Sequence, residues 1–249
     1  MSLTPSIPSD PLPPPHTQIN GHDEQEPLLG RRPPPPITDE AVGHTLFTNL
    51  FTGTALLAQI GGLAFVIVVW IANLKRPLML FTAHPLLNTL GVTLLLESTL
   101  LLQPTTTPKE KHTGAIVHSM LNGIAFILMY SAFIIIVVNK MHHHGAHFES
   151  AHAILGLITY ILIFLQATVG IVQFYLPSLV GGEAKARAIY KYHRISGYLI
   201  FVLILLTAVA VTYTPYVHYV LKIRTWFVVV SSIVILAGVL PRVNLRKLW

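Results

Sequence analysis

The chain has 249 residues, of which 53% are hydrophobic and only 10% charged, with a net charge of +6 and a mean hydropathy of +0.63. Soluble domains carry about 25% charged residues, so this composition excludes a soluble globular protein and indicates a polytopic membrane protein in a lipid bilayer. No basic run interleaved with aromatics supports nucleic-acid binding, so the charge reads as loop placement against anionic lipid; the absence of cysteine excludes disulfides and thiolate-ligated metal centres.

Residues 1–43 hold 11 of the 18 prolines, and such a polar stretch cannot bury enough apolar surface to fold. It reads as a disordered cytosolic tail, without the apolar h-region of a signal peptide. Within it, Glu24-Gln25-Glu26-Pro27-Leu28-Leu29 has the form of an acidic dileucine sorting signal, which points to a vacuolar or endosomal membrane; a plain linker is the competing reading.

Six apolar runs follow, at about 46–73, 82–102, 114–138, 151–175, 192–213 and 224–240. Each is near the roughly 20 residues that cross about 30 Å of hydrocarbon as a helix. They are continuously apolar rather than alternating, so helices are expected and barrel strands are not. The predicted organisation is a tail over 1–43, a transmembrane domain over 44–241 and a cytosolic tail over 242–249. With both termini in the cytosol, the inner segments hold eleven Lys and Arg; the outer loops hold five, Lys75, Arg76, Lys140, Lys222 and Arg224. The positive-inside rule favours that orientation.

Four histidines recur within these spans, His84, His118, His152 and His193, at gaps of 34, 34 and 41 residues. An ionisable side chain at the edge of an apolar span is costly and is by default a functional candidate. A lone case reads as an interhelical hydrogen bond. On the predicted topology, however, His84 and His152 start the second and fourth spans at the outer face, and His118 and His193 start the third and fifth at the cytosolic face. The four therefore form two pairs matched in depth, each on alternate parallel helices. One turn after them stand Asn88, Asn122, Gly156 and Gly197, on the same helix face and never bulky, with Gly91 and Gly123 nearby. That leaves room for a planar macrocycle, so the pairs read as axial ligands to two haem groups, with no open iron position for oxygen and electron transfer as the expected task.

The segments FTAHPLLNTLG (81–91), ESAHAILGL (149–157), FLQATVG (164–170) and KYHRISGY (191–198) resemble the eukaryotic cytochrome b561 family over nearly all of 45–240. The short chain and the loop at 139–152 are similar to the branch that includes the tumour-suppressor-type b561 domain proteins. The resemblance implies an all-α membrane protein of six transmembrane helices, with a di-haem four-helix core from the second to the fifth and commonly a homodimer. His84 and His152 would hold the non-cytosolic haem b, and His118 and His193 the cytosolic one. Electrons would pass from cytosolic ascorbate to monodehydroascorbate or a ferric chelate.

The same resemblance places an ascorbate contact at Lys109, nine residues before His118, with Lys111 nearby. Thr113 and Ala184 stand where the family has further basic residues, so Lys185, Arg187 or Lys191 would substitute. On the other face His144 and His147, within the run His142 to His147, would meet the acceptor; a solvated histidine run is the alternative. Gln166, fourteen residues after His152, reads as bonding a neighbouring helix rather than a haem propionate. His16, His22, His44, His112 and His218 carry no assigned chemistry. Two other classes compete: a haem-b membrane subunit serving a protein partner, and a carrier whose histidines bind divalent metal in transit. The carrier would want carboxylates within the spans, where the central four helices offer only Glu97.

Overall fold

A computed structural model describes residues 38–244. The dileucine pattern, the proline-rich stretch and the basic residues Arg246 and Lys247 lie outside them. Among the described residues the chain is helical and forms no strand. A short helix, α1 (Asp39–Thr48), precedes six helices long and apolar enough to cross a membrane. These are α2 (Ala55–Leu74), α3 (Leu80–Leu102), α4 (Pro108–His142), α5 (Ala151–Tyr175), α6 (Glu183–Val211) and α7 (Thr225–Val239, continued as a 3-10 turn through Arg242). The protein is an all-α membrane protein, and the spans expected from hydropathy correspond to α2–α7.

Four boundaries differ markedly from the sequence reading. The tail was expected to reach residue 43, yet α1 begins at Asp39, capped by Thr38 Oγ1, which accepts from the Ala41 N–H at 3.2 Å. The first span begins at Ala55 rather than 46, because Asn49, Thr52, Gly53 and Thr54 interrupt the apolar run. Val42 and Leu46 of α1 instead bury against Leu101. Finally, α4 and α6 start well before their apolar portions. Thr107 and Glu110 form a reciprocal capping box ahead of Pro108, which fixes the start of α4 in polar sequence. Gly181 and Gly182, at φ +87° and +94°, turn the chain in a region open mainly to glycine. The helix formers from Glu183 to Ala188 then begin α6. Hydropathy detects only the apolar part of such helices; at 1.5 Å per residue the 35-residue α4 is about 52 Å long, more than the roughly 30 Å hydrocarbon layer.

The helices pack as three antiparallel pairs, α3 with α4, α5 with α6, and α2 with α7. Between lipid-embedded helices close approach depends on small residues. A Cβ on Gly61 would lie 2.9 Å from Ile235 Cγ1, and one on Gly238 would run into Ala58. The resulting α2/α7 pair joins α3 and α6 through a cluster of Ala55, Ala58, Leu96, Leu100, Phe201, Leu205, Ile235 and Val239. At one end of the bundle Arg242 donates to the carbonyls of Asn49 (2.7 Å), Thr52 (3.1 Å) and Leu100 (3.0 Å). The cation thus serves carbonyls left over at the ends of α1 and α3. At the other end Arg76 donates to the Val220 carbonyl at 2.6 Å. These two ends are called the Arg242 face and the Arg76 face below.

Candidate functional site

Each of the four histidines is anchored, or left unanchored, within its own hairpin. His84 Nδ1 on α3 lies 2.9 Å from the Ala132 carbonyl on α4, and His118 Nδ1 on α4 lies 3.2 Å from the Ser98 carbonyl on α3. In the second hairpin, His152 Nδ1 on α5 lies 3.1 Å from the Thr207 carbonyl on α6. A carbonyl can only accept, so in all three rings Nδ1 carries the hydrogen and Nε2 is left as a lone-pair donor. A ring-NH bond to a backbone carbonyl is also how protein-held metal ligands are oriented. His152 gains further definition from Ser150, whose Oγ caps α5 by accepting from the Ala153 N–H at 3.2 Å.

The acceptors follow a register: Ser98, Ala132 and Thr207 stand fourteen residues after His84, His118 and His193 respectively. Fourteen residues of helix rise about 21 Å. Each of these helices therefore offers an imidazole at one depth and a carbonyl at the other.

The pairs meet across the two hairpins. His84 and His152 face each other with ring centroids 6.4 Å apart and planes at 85°. An imidazole nitrogen sits about 2.0 Å from a metal it binds, so two rings trans on one ion have centres roughly 6 Å apart. His118 and His193 line a cavity of about 980 Å³ on the Arg242 side, with Asn122, Gly123 and Phe126. That volume is at the upper end of the roughly 300–1,000 Å³ of cofactor pockets. Gly123 is exposed at the edge of that cavity, where a Cβ would meet nothing within 4 Å. The ring separation of His84 and His152 and the cavity lined by His118 and His193 each fit a planar group held between two imidazoles.

Gly197 lines the same cavity, with the Gln166 amide beside it: a Cβ on Gly197 would lie 3.0 Å from Gln166 Nε2, and that amide donates to the His193 carbonyl at 2.6 Å. Asn88 and Asn122 make the equivalent bond from within their own helices, to His84 O at 2.9 Å and His118 O at 2.6 Å. Asn88 Oδ1 also accepts from Tyr160 Oη at 2.8 Å, a bond that crosses between hairpins. Around it Phe126, Tyr130, Phe133, Tyr160 and Phe164 stack into an aromatic layer, with centroid separations from 4.2 Å for Phe126–Tyr130 to 6.5 Å for Tyr130–Phe164.

The basic residues divide into two groups. Lys111, Arg187 and Lys191 line the cavity with His118 and His193, joined by Arg194, which the sequence reading missed although it directly follows His193. Lys109 is elsewhere: its Nζ pairs with Asp39 Oδ1 of α1 at 3.0 Å. Lys185 folds over Gly181 and does not line the cavity. On the Arg76 face, His144 and His147 are exposed; His147 lies against Phe148, with centroids 5.8 Å apart. Among the described residues no three His, Asp or Glu side chains gather as they would round a bare ion. Glu97 accepts from Gln59 Nε2 of α2 at 2.7 Å.

Fold and geometry thus define a polytopic helical membrane protein whose central hairpins carry two histidine pairs at two depths. The family described as eukaryotic cytochrome b561 matches residues 83–217, a range that contains all four histidines. The chain is a member of the eukaryotic cytochrome b561 family, whose members bind haem b. A maize (Zea mays) relative named ascorbate-specific transmembrane electron transporter 2 is 26% identical over 136 residues. That match covers 52% of this chain and 54% of the relative, so the chain spans about half of the relative's length.

Proposed function

We propose that the protein is a transmembrane oxidoreductase that carries electrons one at a time from ascorbate at the Arg242 face to monodehydroascorbate or a ferric chelate at the Arg76 face. The observation that carries this reading is the pairing of four imidazoles across two hairpins, at depths about 21 Å apart by helical rise. His84 with His152, and His118 with His193, would each hold one haem b. Haem b supplies a one-electron iron couple whose potential is set by its axial ligands and surroundings.

The remaining side chains do the rest. Lys111, Arg187, Lys191 and Arg194 draw the ascorbate anion to the cavity mouth, where it gives up one electron and one proton. His118 and His193 hold their group along one wall of that cavity. The aromatic layer from Phe126 to Phe164 lies between the two levels, with Phe126 and Phe164 bounding the cavity. His144 and His147 are the side chains best placed to meet an anionic or ferric acceptor. The distribution of Lys and Arg supports a cytosolic Arg242 face, and the dileucine pattern supports a vacuolar or endosomal membrane.

Vesicles containing the purified protein and an internal ferric chelate test the proposal. External ascorbate should produce ferrous iron inside at a rate that follows protein content. Haem that external ascorbate leaves oxidised would favour a haem subunit that serves a protein partner instead.

A further inference from the structure

We propose that Gln166 is the positioning residue of His193, supplying from α5 what Asn88 and Asn122 supply within their own helices for His84 and His118. The inference rests on the haem reading above.

At His84 and His118, the residue one turn later is an asparagine that donates back to the histidine carbonyl, and Nδ1 is tied to a carbonyl of the partner helix. His193 differs in both respects. The residue one turn later is Gly197, and His193 Nδ1 is buried without a hydrogen-bond partner. Its register partner, fourteen residues after His152, is Gln166. The Gln166 side chain fills the space over Gly197 and donates to His193 O at 2.6 Å. Ser196 Oγ lies 2.7 Å from Gln166 Oε1 and shares its one hydrogen between that oxygen and the carbonyls of Tyr192 (2.8 Å) and His193 (3.2 Å). One turn along α5, Gly170 accommodates the His193 ring, since a Cβ there would lie 3.0 Å from Cε1. Position 166 therefore holds the ligand's backbone, while position 170 bounds its ring.

A ligand imidazole whose Nδ1–H lacks a carbonyl partner is less firmly oriented and less basic than one that has it. For His193 the burden of orientation falls on the Gln166 amide. Its loss should act on one haem and leave the other alone.

The test uses the full-length purified protein with haem bound. In Gln166→Ala, haem content should stay at the wild-type level, while the low-spin ferric electron paramagnetic resonance signal and the midpoint potential of the haem held by His118 and His193 shift. Those of the haem held by His84 and His152 should not. Adding Gly197→Asn to Gln166→Ala returns an amide one turn after His193 and should restore the wild-type signal. Gln166→Met, which keeps the side-chain length but loses the amide donor, should give a shift in the same direction and serves if Gln166→Ala does not fold. Unchanged signals in the folded variants, or an equal change at both haems, would overturn the proposal. A haem-free wild-type protein would overturn the haem reading itself.

Discussion

The rings of His84 and His152 stand 6.4 Å apart between centroids, at 85° to one another, on helices that belong to different hairpins. Each ring is tied back into its own hairpin, to Ala132 O and Thr207 O. The contact between them therefore joins the halves of the bundle at the Arg76 face. Replacing His84 with Ala should lower the haem content from two per chain to one and spare the haem held by His118 and His193. Pyridine haemochrome assay with a low-temperature spectrum reads both quantities. Loss of the signal assigned to His118 and His193 instead would refute the pairing.

Asn88 links the His84 backbone to Tyr160 across the hairpins. Asn88→Leu keeps the branched heavy-atom outline but removes both bonds. Partners behind a metal ligand are worth about 10–100-fold in affinity, so haem at the Arg76 level should be retained about 10-fold more weakly. Haem retention under competition with apomyoglobin measures this.

The cavity cations and Lys109 should separate kinetically. Arg187→Ala and Lys191→Ala remove positive charge from the wall shared with His118 and His193, and each should raise the ascorbate KM several-fold, less so at high salt because exposed charges are screened beyond about 8 Å at physiological ionic strength. Lys109→Ala removes a pair with Asp39 that is itself largely solvated and worth about 0.2–1 kcal/mol at most. Its KM should stay near that of wild type, because Lys109 does not line the cavity.

Gly238→Val tests the flanking pair. The added side chain would meet Ala58 of α2, and overpacking of this kind costs about 1–3 kcal/mol. The melting temperature should fall, while the haem content of the folded fraction stays at wild type.

The histidine levels were legible in the sequence because their spacing and the helical alternation fix depth without any tertiary information. The carbonyl partners were not: Ser98, Ala132 and Thr207 act through main-chain oxygens, which every residue carries, so no residue type marks them. Lys109 matched a family position, but its orientation depends on Asp39 in α1, a helix formed from sequence that composition assigned partly to the tail. Gly197 suggested room for a macrocycle and does line the cavity; the Gln166 amide beside it comes from another helix, and intrahelical periodicity cannot reveal such a neighbour.

A reduced-minus-oxidised spectrum of the purified full-length protein, with ascorbate as the only reductant and haem quantified per chain, bears most directly on the proposed function. The expected result is two haem b per chain, both reduced by ascorbate. A protein that purifies without haem, or whose haem ascorbate leaves oxidised, would contradict it.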